Sequence, residues 1–377
     1  MLRLLFLTLL LPLVGHGLPR YSARYNQSCH LCHVNPEGGG MRTSFGSQFF
    51  AGTELAMNGF DFDKLGALET RISDRLSVGA DFRTLLVHDS PSDGVADRPA
   101  NTYENRPELS SFLQMQGDLY LHFNLAPRYE MVYEQALSGS WEAWALAHVL
   151  PANGSVKVGR FMPGYGWKTV DHNAFTRERL GFSTRNREQD TGVELEFHPD
   201  GYSFSLALTN GINAQFDDNT QKALTGRVAH MTRVMGKNLT LGASARVNRL
   251  ESLTTGARTV SVYGPFAALH AGPFTWLGEL GMLHDESVSG SAQHDELVHS
   301  HEFSYTVRQG MDVLYSHDFH DWDLDANSGF ETRNRLALDL IPWPWVAIQP
   351  GASLFRRENG SAGTSWLELS LMVHYFL

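Results

Sequence analysis

Both cysteines of the chain fall in one stretch, Cys29-His30-Leu31-Cys32-His33, and each is followed by a histidine. Two thiols three positions apart can reach the two vinyl groups on one edge of a porphyrin, and the histidine after the second is then held against the iron. The spacing is the C-x-x-C-H attachment signature of a c-type haem, with Cys29 and Cys32 as thioether anchors, His33 as proximal iron ligand and His30 as a spacer. Other chemistries fit the five residues less well. A thioredoxin-like redox pair needs a βαβ scaffold that the sequence lacks. Structural zinc needs four ligands spread around the metal, and two histidines beside two cysteines are too cramped for a tetrahedron. A disulfide closing so short a gap constrains little unfolded chain.

The rest of the sequence has to export and position this motif. Residues 1–17, MLRLLFLTLLLPLVGHG, carry one early cation, an apolar run from Leu4 to Val14, and small residues Gly15 and Gly17 spaced for a signal peptidase. The run is shorter than the roughly 20 residues a spanning helix needs, so the mature chain is expected to start near Leu18, outside the cytoplasm. The formal charge of −11 argues against a nucleic-acid partner, which wants a basic face. It suits cations as cargo.

From about Ala67 to the carboxyl end, short segments alternate apolar with polar residues between Gly, Asn, Asp and Pro clusters, which is a strand period. In LQMQGDLYLHFNLAP, Leu113, Met115, Gly117, Leu119, Leu121, Phe123 and Leu125 share one face and the polar residues the other. Pro199-Asp200-Gly201 reads as a tight turn between antiparallel neighbours. The last segment is the clearest: Leu367, Leu369, Leu371, Val373, Tyr375 and Leu377 alternate with Trp366, Glu368, Ser370, Met372, His374 and Phe376. About 16 such segments, each near the roughly 10 residues that cross a membrane at a tilt, predict an all-β fold, a transmembrane antiparallel barrel. Closure is required because lipid cannot satisfy an open sheet edge. Trp141, Trp144, Trp276, Trp343 and Trp345 are assigned to the aromatic girdles.

The domain reading is therefore 1–17 signal peptide, 18–66 monohaem segment and 67–377 barrel. A module as short as 18–66 seldom builds a core unaided. It is expected to sit in the barrel mouth or lumen as a plug, with Phe45, Phe49, Phe50, Phe60 and Phe62 around the porphyrin or the wall. The sixth iron position is open to Met or His. Met57 is preferred to Met41, because Gly38-Gly39-Gly40 returns Met41 close behind His33 on a tight turn; His122, His148 or His172 of the barrel can also serve.

With signal peptide, CHLCH, short plug and barrel in that order, the whole chain resembles the fused cytochrome-porins of the bacterial outer membrane. The residue-specific part of that resemblance is Cys29, Cys32 and His33. It implies one covalent haem c, an electron-transfer role in which extracellular ferrous iron is oxidised, and a periplasmic cytochrome or other carrier as partner. A weaker likeness is VGRFMPGYGWKTVDHNAFTR, Val158 to Arg177, which is similar to the strand-to-loop motif of phosphate-selective porins and implies a folded constriction loop. Lys168, Arg177, Arg179, Arg185 and Arg187 stand in or just after it, either as an anion-selective or propionate-binding cluster or as partners of lumen carboxylates such as Glu188 and Asp190. The alternative function is a diffusion porin for small anions or other solutes, with the haem segment as a plug or docking element. No acid, base or nucleophile constellation points to a substrate-turnover enzyme. LHDESVSGSAQHDELVHSHE and YSHDFHDWDLD are rich enough in His and carboxylates to attract metal ions.

Overall fold

A computed structural model describes residues 19–57, 69–93, 109–137, 139–169, 171, 173–183, 189–212, 217, 219–252, 256–287, 294–326, 329–360 and 362–377. The expected signal segment, residues 1–17, and Phe60, Phe62, His172, Arg185, Arg187 and Glu188 lie outside the described residues.

The alternation yields sixteen strands. The first eight are β1 (Leu76–Asp93), β2 (Leu109–Ala126), β3 (Tyr129–Ala136), β4 (Trp141–Leu150), β5 (Gly154–Phe161), β6 (Asp190–Phe197), β7 (Tyr202–Thr209) and β8 (Ala223–Val234). The rest are β9 (Lys237–Ser252), β10 (Gly256–Ala271), β11 (Phe274–Ser287), β12 (His294–Arg308), β13 (Met311–Asp321), β14 (Phe330–Trp343), β15 (Val346–Asn359) and β16 (Ala362–Phe376). Each pairs with its chain neighbours antiparallel, and β1 pairs with β16 through Asp81↔Phe376 and Arg83↔His374, so the sheet closes. Closure leaves no unpaired edge, the condition for a sheet in hydrocarbon.

Side chains then sort by parity. On β16, Leu367, Leu369, Leu371 and Val373 are exposed on the outer wall, while Trp366, His374 and Phe376 are buried inside it, as the alternation predicts. Similar exposed rows on β7 (Leu206, Leu208) and elsewhere (Leu241, Leu336, Leu354) form an apolar outer belt. A soluble barrel has no reason to carry such a belt, whereas lipid requires it.

Three expectations change. On β2 the pairing slips between Gln116 and Gln114, opposite Arg83 and Thr84, so Met115 is the extra residue of a bulge. Gln114 consequently shares the outer face and bonds Thr84, and Leu113 no longer stands with Leu119 and Leu121. Trp144, 4 % exposed, points inward against Tyr120, Val132 and Leu146. Trp345, 5 % exposed, packs on the N-terminal segment rather than in a girdle; Trp343 is exposed as expected.

Short turns lie at one end of the barrel, such as Pro199-Asp200-Gly201, where Tyr202 N donates to Pro199 O at 2.8 Å and Gly201 takes φ 74°. Barrels of this type turn their short connections to the periplasm. The N-terminal segment enters at the same end. It comprises α1 (Pro19–Tyr25), a tight turn at Cys29–Leu31 and α2 (Phe45–Leu55), a π-helix. Tyr21, Phe50, Ala51 and Leu55 pack against Ile341, Trp345, Ala347 and Phe376 of the wall, and Tyr21 meets Phe50 edge-on with ring centroids 5.7 Å apart. Trp345 Nε1 donates to Ser47 O at 2.6 Å, and Gln309, in the β12–β13 turn, donates to Thr53 O and Ala56 O. The segment is a plug built into the barrel core.

Candidate functional site

The Cys-His stretch folds as a single helical turn. Cys32 N and His33 N both donate to Cys29 O, at 3.1 and 3.0 Å. Residues three and four apart share a helix face, so the turn gathers Cys29, Cys32 and His33 on one side. The chain then doubles back: Gly38, Gly39 and Gly40 take φ 85°, 74° and 64°, a run of left-handed residues that side chains would strain. The return lays Met41-Arg42 beside His33-Val34, with a bridge between His33 and Arg42 and a bond from Val34 N to Met41 O. Gly46 of α2 closes over the turn, where an added Cβ would lie 2.3 Å from Cys32 O.

Charged groups fix this unit to the wall on several sides. Arg42 donates to both Asp81 oxygens at 3.1 Å, Arg24 to Asp312 at 2.9 Å, and Arg20 pairs with Asp339 and Glu302. Asn35 accepts from Lys157 Nζ at 2.9 Å, a lysine that also bonds Glu194 and Glu196, and Glu37 pairs with Arg227 at 3.2 Å. These wall groups face the lumen because strand parity places them there.

Opposite the plug, the β5–β6 connection folds inward, as expected of a constriction loop. It includes α3 (Phe175–Glu178), and its Tyr165, Phe175, Leu180 and Phe182 pack against lumen-facing Val262 and Val298. Gly166 N donates to Ser244 and Trp167 N to Glu279. Burial raises the Asp171 carboxyl, but Arg333 and Arg335 outweigh it and hold the group well below the usual carboxylate range. Of the loop cations, Arg179 pairs with Glu331 at 3.3 Å and Arg177 donates to Tyr165 O at 3.0 Å, while Lys168 reaches the plug at Gly39.

Between plug, loop and wall lies a cavity of about 180 Å³, open to solvent. Cys32 and His33 line it, with Phe50, Ile341 and Phe376 among its apolar surfaces. Charges of both signs line it, Arg42, Arg83, Lys168 and Arg177 alongside Asp81, Asp118, Glu134 and Asp171. The Cys29 thiol packs by Gly38 at the edge of this unit. Burial pushes both thiols up from their ordinary pKa, so at neutral pH they are neutral and poor nucleophiles. No disulfide joins them. The donor set fits a c-type haem, two thiols on one turn with a buried histidine and apolar surface beside them; of the two thiols Cys32 lines the cavity.

The other sequence candidates scatter. Met57 sits at the short-turn rim, its N bonded to Ile341 O and its sulfur 3.8 Å from Arg308. Met41 is buried among Val34, Tyr120 and Trp144. Neither lines the cavity. His122 and His148 are both held by Glu130, at 2.8 and 2.9 Å. His30, read as a spacer, stacks on His198 of the β6–β7 turn with centroids 6.1 Å apart. At the long-loop end, His294 and His320 bond Glu296, yet among the described residues no group of three His, Cys, Asp or Glu converges as a metal site. Two cavity residues were not singled out from the sequence, Met372 and His374 of β16. Their inward parity was the available signal.

No family model matches the chain, and no curated protein matches it. Solved structures do. The outer membrane channel DcaP of Acinetobacter baumannii superposes with a TM-score of 0.60 at 11% identity, covering 82% of this chain and 100% of that one. An anion-selective porin from Comamonas acidovorans gives 0.59 at 10% identity, covering 80% and 99%. OmpT of Vibrio cholerae gives 0.58 at 9%, covering 82% and 100%. The fold is that of the outer-membrane porins.

Proposed function

We propose that the chain is a bacterial outer-membrane protein carrying one haem c in its lumen, and that it passes single electrons between an extracellular donor and a periplasmic cytochrome. The observation that carries this reading is the position of the attachment motif: Cys32 and His33 line the cavity enclosed by plug, loop and wall. A haem bound there supplies a one-electron couple.

The residues have separate tasks. Cys29 and Cys32 would anchor the ring edge, and His33, whose backbone is held by its bridge to Arg42, would supply the imidazole for the iron. Phe50, Ile341 and Phe376 exclude water from one side of the cavity, and burial of this kind tunes potential. Arg83, Lys168 and Arg177 would offset propionate charge. The plug lies at the short-turn end, which suits exchange with a periplasmic carrier. Dissolved ferrous iron is the donor that the cytochrome-porin resemblance implies.

A diffusion porin is the second reading, favoured by the likeness to solved channels, among them an anion-selective porin. Haem stain and optical spectrum of membrane-extracted protein, followed by ferrous iron, separate the two. Covalent haem that ferrous iron reduces supports electron transfer. Absence of haem when cytochrome maturation is supplied, with solute flux in liposome swelling, gives the porin. The substitution His33→Ala is expected to abolish the native haem spectrum while heat-modifiable barrel migration persists.

A further inference from the structure

We infer that the barrel wall supplies the second axial ligand of the haem, and that this ligand is His374 of β16. The inference rests on the haem reading above. His374 is 6 % exposed and lines the cavity that Cys32 and His33 also line. Its Nε2 bonds Asp81 Oδ1 at 2.7 Å. A histidine that ligates a metal characteristically gives its other ring N–H to a carboxylate, which fixes the tautomer and the ring orientation. The Asp81 bond does this: one ring nitrogen donates to the carboxylate, and the other keeps the lone pair that a metal needs.

Asp81 is itself fixed. It accepts both Arg42 bonds from the plug and the Tyr120 hydroxyl at 3.0 Å. Arg42 is the cross-hairpin backbone neighbour of His33. The Arg42–Asp81–His374 bonds therefore tie the hairpin that carries His33 to the strand that carries His374. Met57, Met41, His122 and His148 do not line that cavity. Met372 shares the face and the cavity with His374 but has no carboxylate to orient it. A ligand on the last strand would also make haem coordination depend on barrel closure, since β16 seals against β1 through Arg83↔His374.

The test uses the full chain with its haem, purified from membranes. The native protein is expected to give a low-spin spectrum without the near-infrared charge-transfer band of a Met–Fe bond. His374→Ala is expected to become high-spin and to bind carbon monoxide, with added imidazole restoring the low-spin form; Met372→Leu is expected to stay low-spin. His374→Gln, which can keep a hydrogen bond to Asp81, gives the same spin change if the alanine variant does not fold. A Met–Fe band in the native protein, or a low-spin His374→Ala protein, overturns the assignment alone. Native protein without covalent haem overturns the parent reading with it.

Discussion

Arg42 of the plug holds Asp81 of β1 with two guanidinium nitrogens, each 3.1 Å from a carboxylate oxygen, in a site where Asp81 is 4 % exposed. The pair joins the plug to the barrel wall. Asp81→Asn leaves Arg42 facing a neutral group, and breaking a buried pair of this kind costs about 3–5 kcal/mol. The plug is expected to become sensitive to trypsin while the barrel keeps its heat-modifiable migration. A plug as resistant as that of the unaltered protein would show that the pair does not hold it.

Trp345 contributes ring packing and one hydrogen bond to Ser47 O, and two substitutions separate them. Trp345→Phe is expected to lose about 1 kcal/mol, and Trp345→Ala about 3–5 kcal/mol. Thermal melts of the detergent-solubilised protein measure both. Bilayer conductance should rise for the alanine variant, because the plug loosens at the mouth.

Gly46→Val tests the contact of α2 on the Cys29–His33 turn. An added Cβ lies 2.3 Å from the Cys32 carbonyl oxygen, a backbone atom that cannot swing aside. Overpacking of this kind costs about 1–3 kcal/mol. Haem content per barrel is expected to fall, and an unchanged ratio would mean that the turn tolerates displacement.

The lumen loop should be resistant to mild acid. Asp171 has a folded pKa depressed by Arg333 and Arg335, so its stabilising contribution is complete above the ordinary carboxylate range and is lost only as pH falls through the lower folded value. Protease cleavage in the loop is expected to stay constant from neutral pH to about pH 5 and to rise below about pH 4. Asp171→Asn should cleave at all pH values.

Protein made without haem maturation should have slow thiols. Burial raises the pKa of Cys29 and Cys32, so alkylation of the folded chain at neutral pH is expected to be far slower than of the unfolded chain. The sign for stability follows: this contribution is full below the ordinary thiol value of about 8.5 and is lost as pH climbs toward the raised folded value. Equal alkylation rates in both states would contradict the buried placement.

The sequence by itself determined what depends on neighbours along the chain. Alternation from Ser365 to Phe376 has period two, so it assigned Leu371 to lipid and His374 to the lumen. The C-x-x-C-H spacing is equally local, since three residues of one turn decide it. The bulge at Met115 was invisible because Leu-Gln-Met-Gln continues the alternation without a break, and only pairing with Arg83 and Thr84 reveals the slip. Trp144 and Trp345 looked like girdle residues because composition does not say whether an aromatic near a strand end meets lipid or a plug. What only the tertiary structure decided is which groups share the cavity. Asp81 and His374 lie 293 positions apart and meet because the first and last strands close the barrel, a contact set by sheet geometry and not by local propensity.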